Sequence, residues 1–186
     1  APEKVLPLAT HIGHGKTQTS LGDAQMQEIK TQWAGLARQG FRVIAYAVNE
    51  DAPRALDPRS VPPLVFGGFF CLRDPLRAGV RESVAAVENA GIRVVMMTGD
   101  HRLTAEAIGR EAGIFKDNDR LVTGEDIEAA SEYQLAAILA NTAVFARVTP
   151  DHKLRIIQAY RARGEIVAMT GDGVNDAPSL KAAHIG

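Results

Sequence analysis

Apolar positions recur at two different periods along this chain, and the rhythm changes near residue 74. Between Asp23 and Gln39, Met26, Ile29, Trp33 and Leu36 fall on one face at helical spacing, which predicts an amphipathic helix with Asp23 as N-cap and Gly40 as its stop. A short apolar segment and a polar Gly/Thr-rich loop precede it. A strand is predicted over 41–48. A loop follows over 51–63, where Pro53, Pro58, Pro62 and Pro63 oppose regular structure, and then a second strand over 64–72.

From Asp74 onward helices and short apolar strands alternate. The pattern predicts a helix over 76–89 ending at Gly91, a strand over 92–97, helices over 103–111 and 132–140, a strand over 143–146, a helix over 150–163 ending at Gly164, and a strand over 166–169. Strands of four to six apolar residues separated by helices imply an α/β fold, a doubly wound parallel sheet with right-handed crossovers. Such a sheet brings the residues that follow its strands to one carboxyl rim, where ligands bind. Thr98, Arg147 and Asp172 are then expected on one edge.

Composition narrows the function classes. The chain has 186 residues, 46% hydrophobic and 23% charged, which suits a globular protein. A formal charge of −1 with basic and acidic residues interspersed lacks the electrostatic footprint of a nucleic-acid binder. The single cysteine, Cys71, excludes an internal disulfide and reads as a small buried strand residue. No apolar run reaches the roughly 20 residues of a membrane helix.

The chemistry concentrates in residues 168–180, Ala-Met-Thr-Gly-Asp-Gly-Val-Asn-Asp-Ala-Pro-Ser-Leu. Asp172 and Asp176 offer the hard oxygen ligands that Mg²⁺ takes beside phosphate and water. Gly171 and Gly173 allow close approach of a phosphate, and Asn175 can donate to one. The plainer alternative is a pair of turns. Thr98-Gly99-Asp100 sits at a predicted strand-to-helix junction, where a hydroxyl and free N–H groups can bind a phosphoryl oxygen, although Asp100 could simply cap the next helix. Lys153 lies in the first turn of a helix, where the macrodipole disfavours a cation and makes an anion the natural partner; the alternative is a lysine whose stem covers apolar surface. Gly13-His14-Gly15-Lys16-Thr17 is not a phosphate-binding P-loop, because Thr10 stands where the first glycine is required. His11 and His14 lack nearby partners for a metal site.

The 168–180 run resembles the corresponding motif of P-type cation-transporting ATPases, whose phosphorylation domain has a haloacid-dehalogenase-like, Rossmann-type fold. Other segments are similar to the same family in the same order. Ala1-Pro2-Glu3 looks like the end of its Lys-Gly-Ala-Pro-Glu motif, Phe41-Arg42-Val43-Ile44-Ala45 resembles a strand of its nucleotide-binding domain, and Asp74-Pro75-Leu76-Arg77 resembles the return hinge. Met96-Met97-Thr98-Gly99-Asp100 and Phe145-Ala146-Arg147-Val148-Thr149-Pro150, with Lys153, complete the match.

The resemblance implies that residues 1–73 are the C-terminal part of a partial α+β nucleotide-binding domain and that 74–186 are a phosphorylation domain without its first strand. It implies that Lys153, Thr98 and Asn175 hold phosphoryl oxygens, that Asp172 and Asp176 bind Mg²⁺, and that Arg42, Gly99, Asp100 and Arg147 approach ATP. The family's nucleophile, the Asp of Asp-Lys-Thr-Gly-Thr, does not occur in these 186 residues. The expectation is therefore an internal part of a longer polypeptide, on the cytoplasmic face of a membrane. Its parent would pump a cation, calcium being favoured, bound by membrane helices absent here, and the isolated chain would be inactive. A soluble haloacid-dehalogenase-like phosphatase and a catalytically dead Mg²⁺ or nucleotide-binding module are the alternatives. His184 replaces the family's commoner Asp, with no role assigned.

Overall fold

The computed structural model describes residues 1–14, 17–49, 62–171 and 174–186. Asp172, Gly173, Gly15, Lys16 and most of the proline-rich loop therefore lie outside the described residues. The chain divides into two compact units, Ala1–Asp74 and Pro75–Gly186.

The first unit begins with helix α1 (Pro2–Val5) and a 3-10 turn at Leu6–Leu8. Strands β1 (Ala9–His14) and β2 (Thr17–Ser20) form a hairpin that was not predicted, and helix α2 (Asp23–Arg38) follows. Strands β3 (Arg42–Val48) and β4 (Leu64–Leu72) complete a mixed sheet in the order β2-β1-β4-β3, with only β1 and β4 parallel. The period-2 alternation of β3 sends Val43 and Ala45 inward. Ala45 packs with Leu6, Ile29 and Phe66, against which Met26 and Trp33 of α2 also lie.

Two sequence expectations fail here. The N-cap of α2 is Gly22 rather than Asp23, which becomes the first helical residue and sets its carboxylate in the favourable first turn. Cys71 is exposed, because the last three residues of β4 run beyond the cover of the core. Pairing of β3 with β4 slips by one residue where Tyr46 crosses Gly67 and Gly68. A Cβ on Gly67 would collide with the Tyr46 ring, and Gly68 has φ of 137°. Both glycines are thus required by this bulge.

The second unit is a three-stranded parallel sheet in the order β5-β7-β6: β5 (Met96–Met97), β7 (Thr142–Ala146) and β6 (Arg120–Thr123). Helices α3 (Val80–Asn89) and α4 (Arg102–Glu111) flank β5 in the chain. Helices α5 (Gly124–Ala129) and α6 (Glu132–Leu139) connect β6 to β7, and α7 (Pro150–Ala162) and α8 (Ala177–Ala182) follow. All five residues of β7 are buried. Phe145 packs with Ile127, Leu135, Leu139 and Ile156 from α5, α6 and α7, while Val144 and Ala146 pack with Ala105 of α4 and with Phe115. Helices thus cover both faces of this sheet, a Rossmann-like α/β arrangement.

Strand 92–97 shrinks to two residues because only Met96 and Met97 find partners, Val144 and Phe145. Before it, the Arg93 guanidinium donates to the carbonyls of Leu139, Ala140 and Thr142. The first helix starts late, at Val80, after a turn, and β6 with α5 was not foreseen. The 166–169 strand is the largest departure. It joins no sheet among the described residues and makes one parallel bridge, Ala168 to Ile185, with Ile166 78% exposed. An exposed segment without a neighbouring strand on its other side has nothing to extend its ladder.

Replacing Phe145 with Ala is expected to destabilise the second unit by about 3–5 kcal/mol, the usual range for removing a fully buried aromatic ring. Denaturant unfolding followed by circular dichroism measures it.

Candidate active site

The loops after β5 and β7 meet at the carboxyl ends of these parallel strands, and the turn before α8 reaches the start of α7 that follows β7. Thr98 leaves β5 with its N–H donating to the Phe145 carbonyl at 2.9 Å. Its hydroxyl donates to Asp100 Oδ2 at 2.9 Å and accepts from the Asp100 N–H at 3.1 Å. The loop is thus locked by its own polar groups. The N-cap of α4 is His101 and not Asp100: His101 Nδ1 accepts the Leu103 N–H at 3.3 Å, which leaves the Asp100 carboxylate for Thr98.

The loop after β7 is tied to it by backbone. The Arg147 N–H donates to the Asp100 carbonyl at 3.0 Å and the Val148 N–H to the Thr98 carbonyl at 3.1 Å. To make these bonds Arg147 takes φ of 54°, the one non-glycine residue at positive φ among the described residues, at a cost of about 1–2 kcal/mol. Thr149 then caps α7 in a reciprocal box with His152: Thr149 Oγ1 accepts the His152 N–H, and His152 Nδ1 accepts the Thr149 N–H.

Lys153 follows in the first turn of α7. Its Nζ donates to Asp176 Oδ1 at 2.7 Å, with the two side chains only 16% and 13% exposed. Two residues that sequence placed in different motifs are therefore one ion pair. Asp176 ends a 3-10 turn, Val174–Asp176, and a Cβ on Gly171 would stand 2.8 Å from Asp176 Oδ2. Glycine at 171 is what allows the chain before Asp172 to pass so close to this carboxylate. Asn175 is exposed beside it. His184 now has a contact: its Nδ1 accepts the Val167 N–H at 3.1 Å, while its own N–H donates to the Val167 carbonyl at 2.9 Å. An acceptor on a side chain is all this position asks for, which an Asp would also supply.

The second unit thus joins Thr98, Asp100, Arg147, Lys153 and Asp176 through direct or backbone hydrogen bonds, with Gly99 and Asn175 exposed at the same loops. Arg42 belongs to the first unit, on the exposed face of β3 with Ile44 and Tyr46. Asp172 lies outside the described residues. Among the described residues no cluster of three or more His, Cys, Asp or Glu side chains could hold a metal ion, and His11 pairs with Thr10. Gly13 and His14 belong to β1 and Thr17 to β2, while Gly15 and Lys16 lie outside the described residues.

Sequence reasoning missed Gly124, which opens α5 at the end of β6. Only the helix start carried a signal. Thr123-Gly124-Glu125-Asp126 has the spacing of a capping box, and Thr123 and Asp126 form one.

The sequence profile of the haloacid dehalogenase-like hydrolases matches residues 6–184. The chain belongs to that family. It is also 41% identical over 188 aligned residues to calcium-transporting ATPase 1 of Bacillus cereus, an alignment covering 100% of this chain and 21% of the relative. The probable cation-transporting ATPase F of Mycobacterium tuberculosis is 43% identical over 158 residues, covering 81% of this chain and 18% of the relative. Calcium-transporting ATPase type 2C member 1 of Pongo abelii is 37% identical over 186 residues, 100% of this chain and 19% of the relative. The resemblance to cation-transporting ATPases thus holds, and the chain spans about a fifth of the length of the relatives it matches. Among the described residues no helix is long and apolar enough to cross a membrane.

Asp176→Ala would leave the Lys153 ammonium largely buried without its carboxylate. We expect a loss of roughly 1–3 kcal/mol in unfolding free energy, less than for a fully buried pair, and a smaller loss for Asp176→Asn. Chemical denaturation of the three proteins checks the order. A second expectation concerns pH. Burial, and then the Arg102 charge, push the His101 pKa below its ordinary 6.5. The folded protein therefore favours the neutral ring, and its contribution is complete above about pH 6.5 and is lost as pH falls through the lower folded value. Thermal melts of His101→Asn, which keeps a capping acceptor, should show less destabilisation between pH 7 and 5 than the unaltered chain.

Proposed function

We propose that this chain is the cytoplasmic part of an ATP-driven cation pump, working through an aspartyl-phosphate on a residue outside these 186 positions. The observation that carries the reading is the Lys153–Asp176 ion pair, linked through α7 and the Arg147–Val148 amides to the Thr98 loop, in a chain similar to calcium-transporting ATPases. Lys153 supplies positive charge for phosphoryl oxygens, Thr98 a hydroxyl and Asn175 an amide, in a reaction that depends on positioning and electrostatics. The donor set suits Mg²⁺. Asp172 and Asp176 are the carboxylates that would hold it, and the metal would neutralise phosphate charge.

The first unit is then the C-terminal part of a nucleotide-binding domain, with Arg42 meeting ATP, and the second the phosphorylation domain, with Gly99, Asp100 and Arg147 near the nucleotide. The strand carrying the nucleophile would lie between β5 and residues 166–169. That position accounts for both the two-residue β5 and the 166–169 segment, which among the described residues is bridged only to Ile185. The remainder of the same polypeptide would contain the membrane helices and the cation site. Calcium is the favoured ion, since two of the relatives above are named as calcium transporters. The phosphatase alternative finds no comparable support in those names.

Two outcomes test this. Titration of the labelled chain with millimolar Mg²⁺ and ATP should shift NMR signals of Arg42, Thr98 and Lys153, with the Thr98 response weakened by Lys153→Ala or Asp172→Ala; unchanged spectra would remove the nucleotide and phosphate roles. Acid quench after incubation with labelled ATP should leave no hydroxylamine-sensitive label, because the Asp-Lys-Thr-Gly-Thr nucleophile is absent from the sequence.

A further inference from the structure

We infer that Gly124, together with His152, is a positioning element for the phosphate-handling turn. It seats the Arg147–Thr149 backbone so that Lys153 and the Thr98 loop stay in register. The inference rests on the phosphate role proposed above for Lys153 and Thr98.

Gly124 is buried at the first position of α5, directly after β6. It is not among the glycines at positive φ, so its conformation does not demand glycine. Space does. A Cβ at this position would stand 2.5 Å from the Arg147 carbonyl oxygen and 2.8 Å from both Cε1 and Nδ1 of His152. Both neighbours belong to the turn that leads into Lys153.

On the far side of that turn, the Arg147 and Val148 N–H groups are already bonded to the Asp100 and Thr98 carbonyls. Arg147 is therefore clamped between its bonds to the Thr98 loop and the backbone of Gly124. His152 completes the seat. Its Nδ1 accepts the Thr149 N–H, so the ring proton resides on Nε2, which donates to Glu128 at 3.0 Å. Glu128 lies on α5, as Gly124 does, so one short helix holds the turn both at Arg147 and, through the imidazole, at Thr149. Lys153 Nζ meets Asp176 from the next residue of α7. A displaced Arg147–Thr149 turn would carry the start of α7, and with it the lysine, away from both partners.

Amide hydrogen exchange on the 186-residue chain, with inorganic phosphate as the probe, tests this. Gly124→Ala is expected to speed exchange of the Arg147 and Val148 amides about tenfold relative to the Leu139 and Ile156 amides. Half-saturation by phosphate, read from the Lys153 side-chain NMR signal, should move to about threefold higher concentration or more. Alanine is the better helix former, so a Gly124 without this role would give a raised melting temperature, unchanged exchange and unchanged phosphate response. That result overturns the inference.

Should Gly124→Ala fail to fold, Glu128→Ala carries the test, since the Glu128 side chain is 69% exposed. Faster exchange at Thr149 and a changed His152 ring ¹⁵N pattern are expected, with Glu128→Gln, whose amide oxygen still accepts, restoring both. Unchanged Thr149 exchange in Glu128→Ala would refute the seat. A Lys153 signal in the unaltered chain that ignores phosphate would overturn the phosphate role itself, while the exchange measurement still decides the seat.

Discussion

Burial of strand β7 is the constraint on which the second unit depends. Five consecutive residues with no exposed face can exist only where strands pair on both edges and helices cover both sides, and β5, β6, α4 and the α5–α7 layer supply these. Its last residue, Ala146, stands immediately before Arg147. The packing of Phe145 and the position of the Arg147 turn are consequently set by the same few backbone units, so the site begins where the core ends.

The elements legible in the sequence were those whose signal is local. The apolar stripe of α2, the Thr149-Pro150 start of α7 and the glycine stops at 40, 91 and 164 depend on neighbours within a few residues, and they occur where the pattern put them. The apolar run 166–169 was indistinguishable from 143–146 by composition, yet one makes a single bridge to Ile185 and the other is central. Whether a run becomes a strand depends on a partner far away in sequence, and nothing in the run itself records that partner. Likewise Cys71 looked like any strand hydrophobe, since exposure at the end of β4 is decided by what covers it.

The candidate site divides along the same line. Thr98, Lys153, Arg147 and Asp176 could be chosen from motif and family resemblance, but their connections could not. The Lys153–Asp176 pair spans 23 positions, and the bonds from the Arg147 and Val148 amides to the Thr98 loop span 47 and 50. Gly124 escaped notice for a related reason. A glycine required by the crowding of distant atoms has no sequence signature distinct from a glycine in a turn.

The Lys153–Asp176 pair also fixes what an arriving anion meets. The ammonium is not a bare positive charge waiting in a cleft, for a carboxylate at 2.7 Å already balances it. If Lys153 takes a phosphoryl oxygen as proposed, association would be an exchange of counter-ions, in which that oxygen takes over a donor that Asp176 gives up and the released carboxylate must find another cation or water. Such an exchange discriminates by charge. On the proposed role, a dianionic phosphoryl group would gain more by replacing the resident carboxylate than a monoanion such as chloride or acetate, so the pair would screen the lysine against the commonest anions in solution.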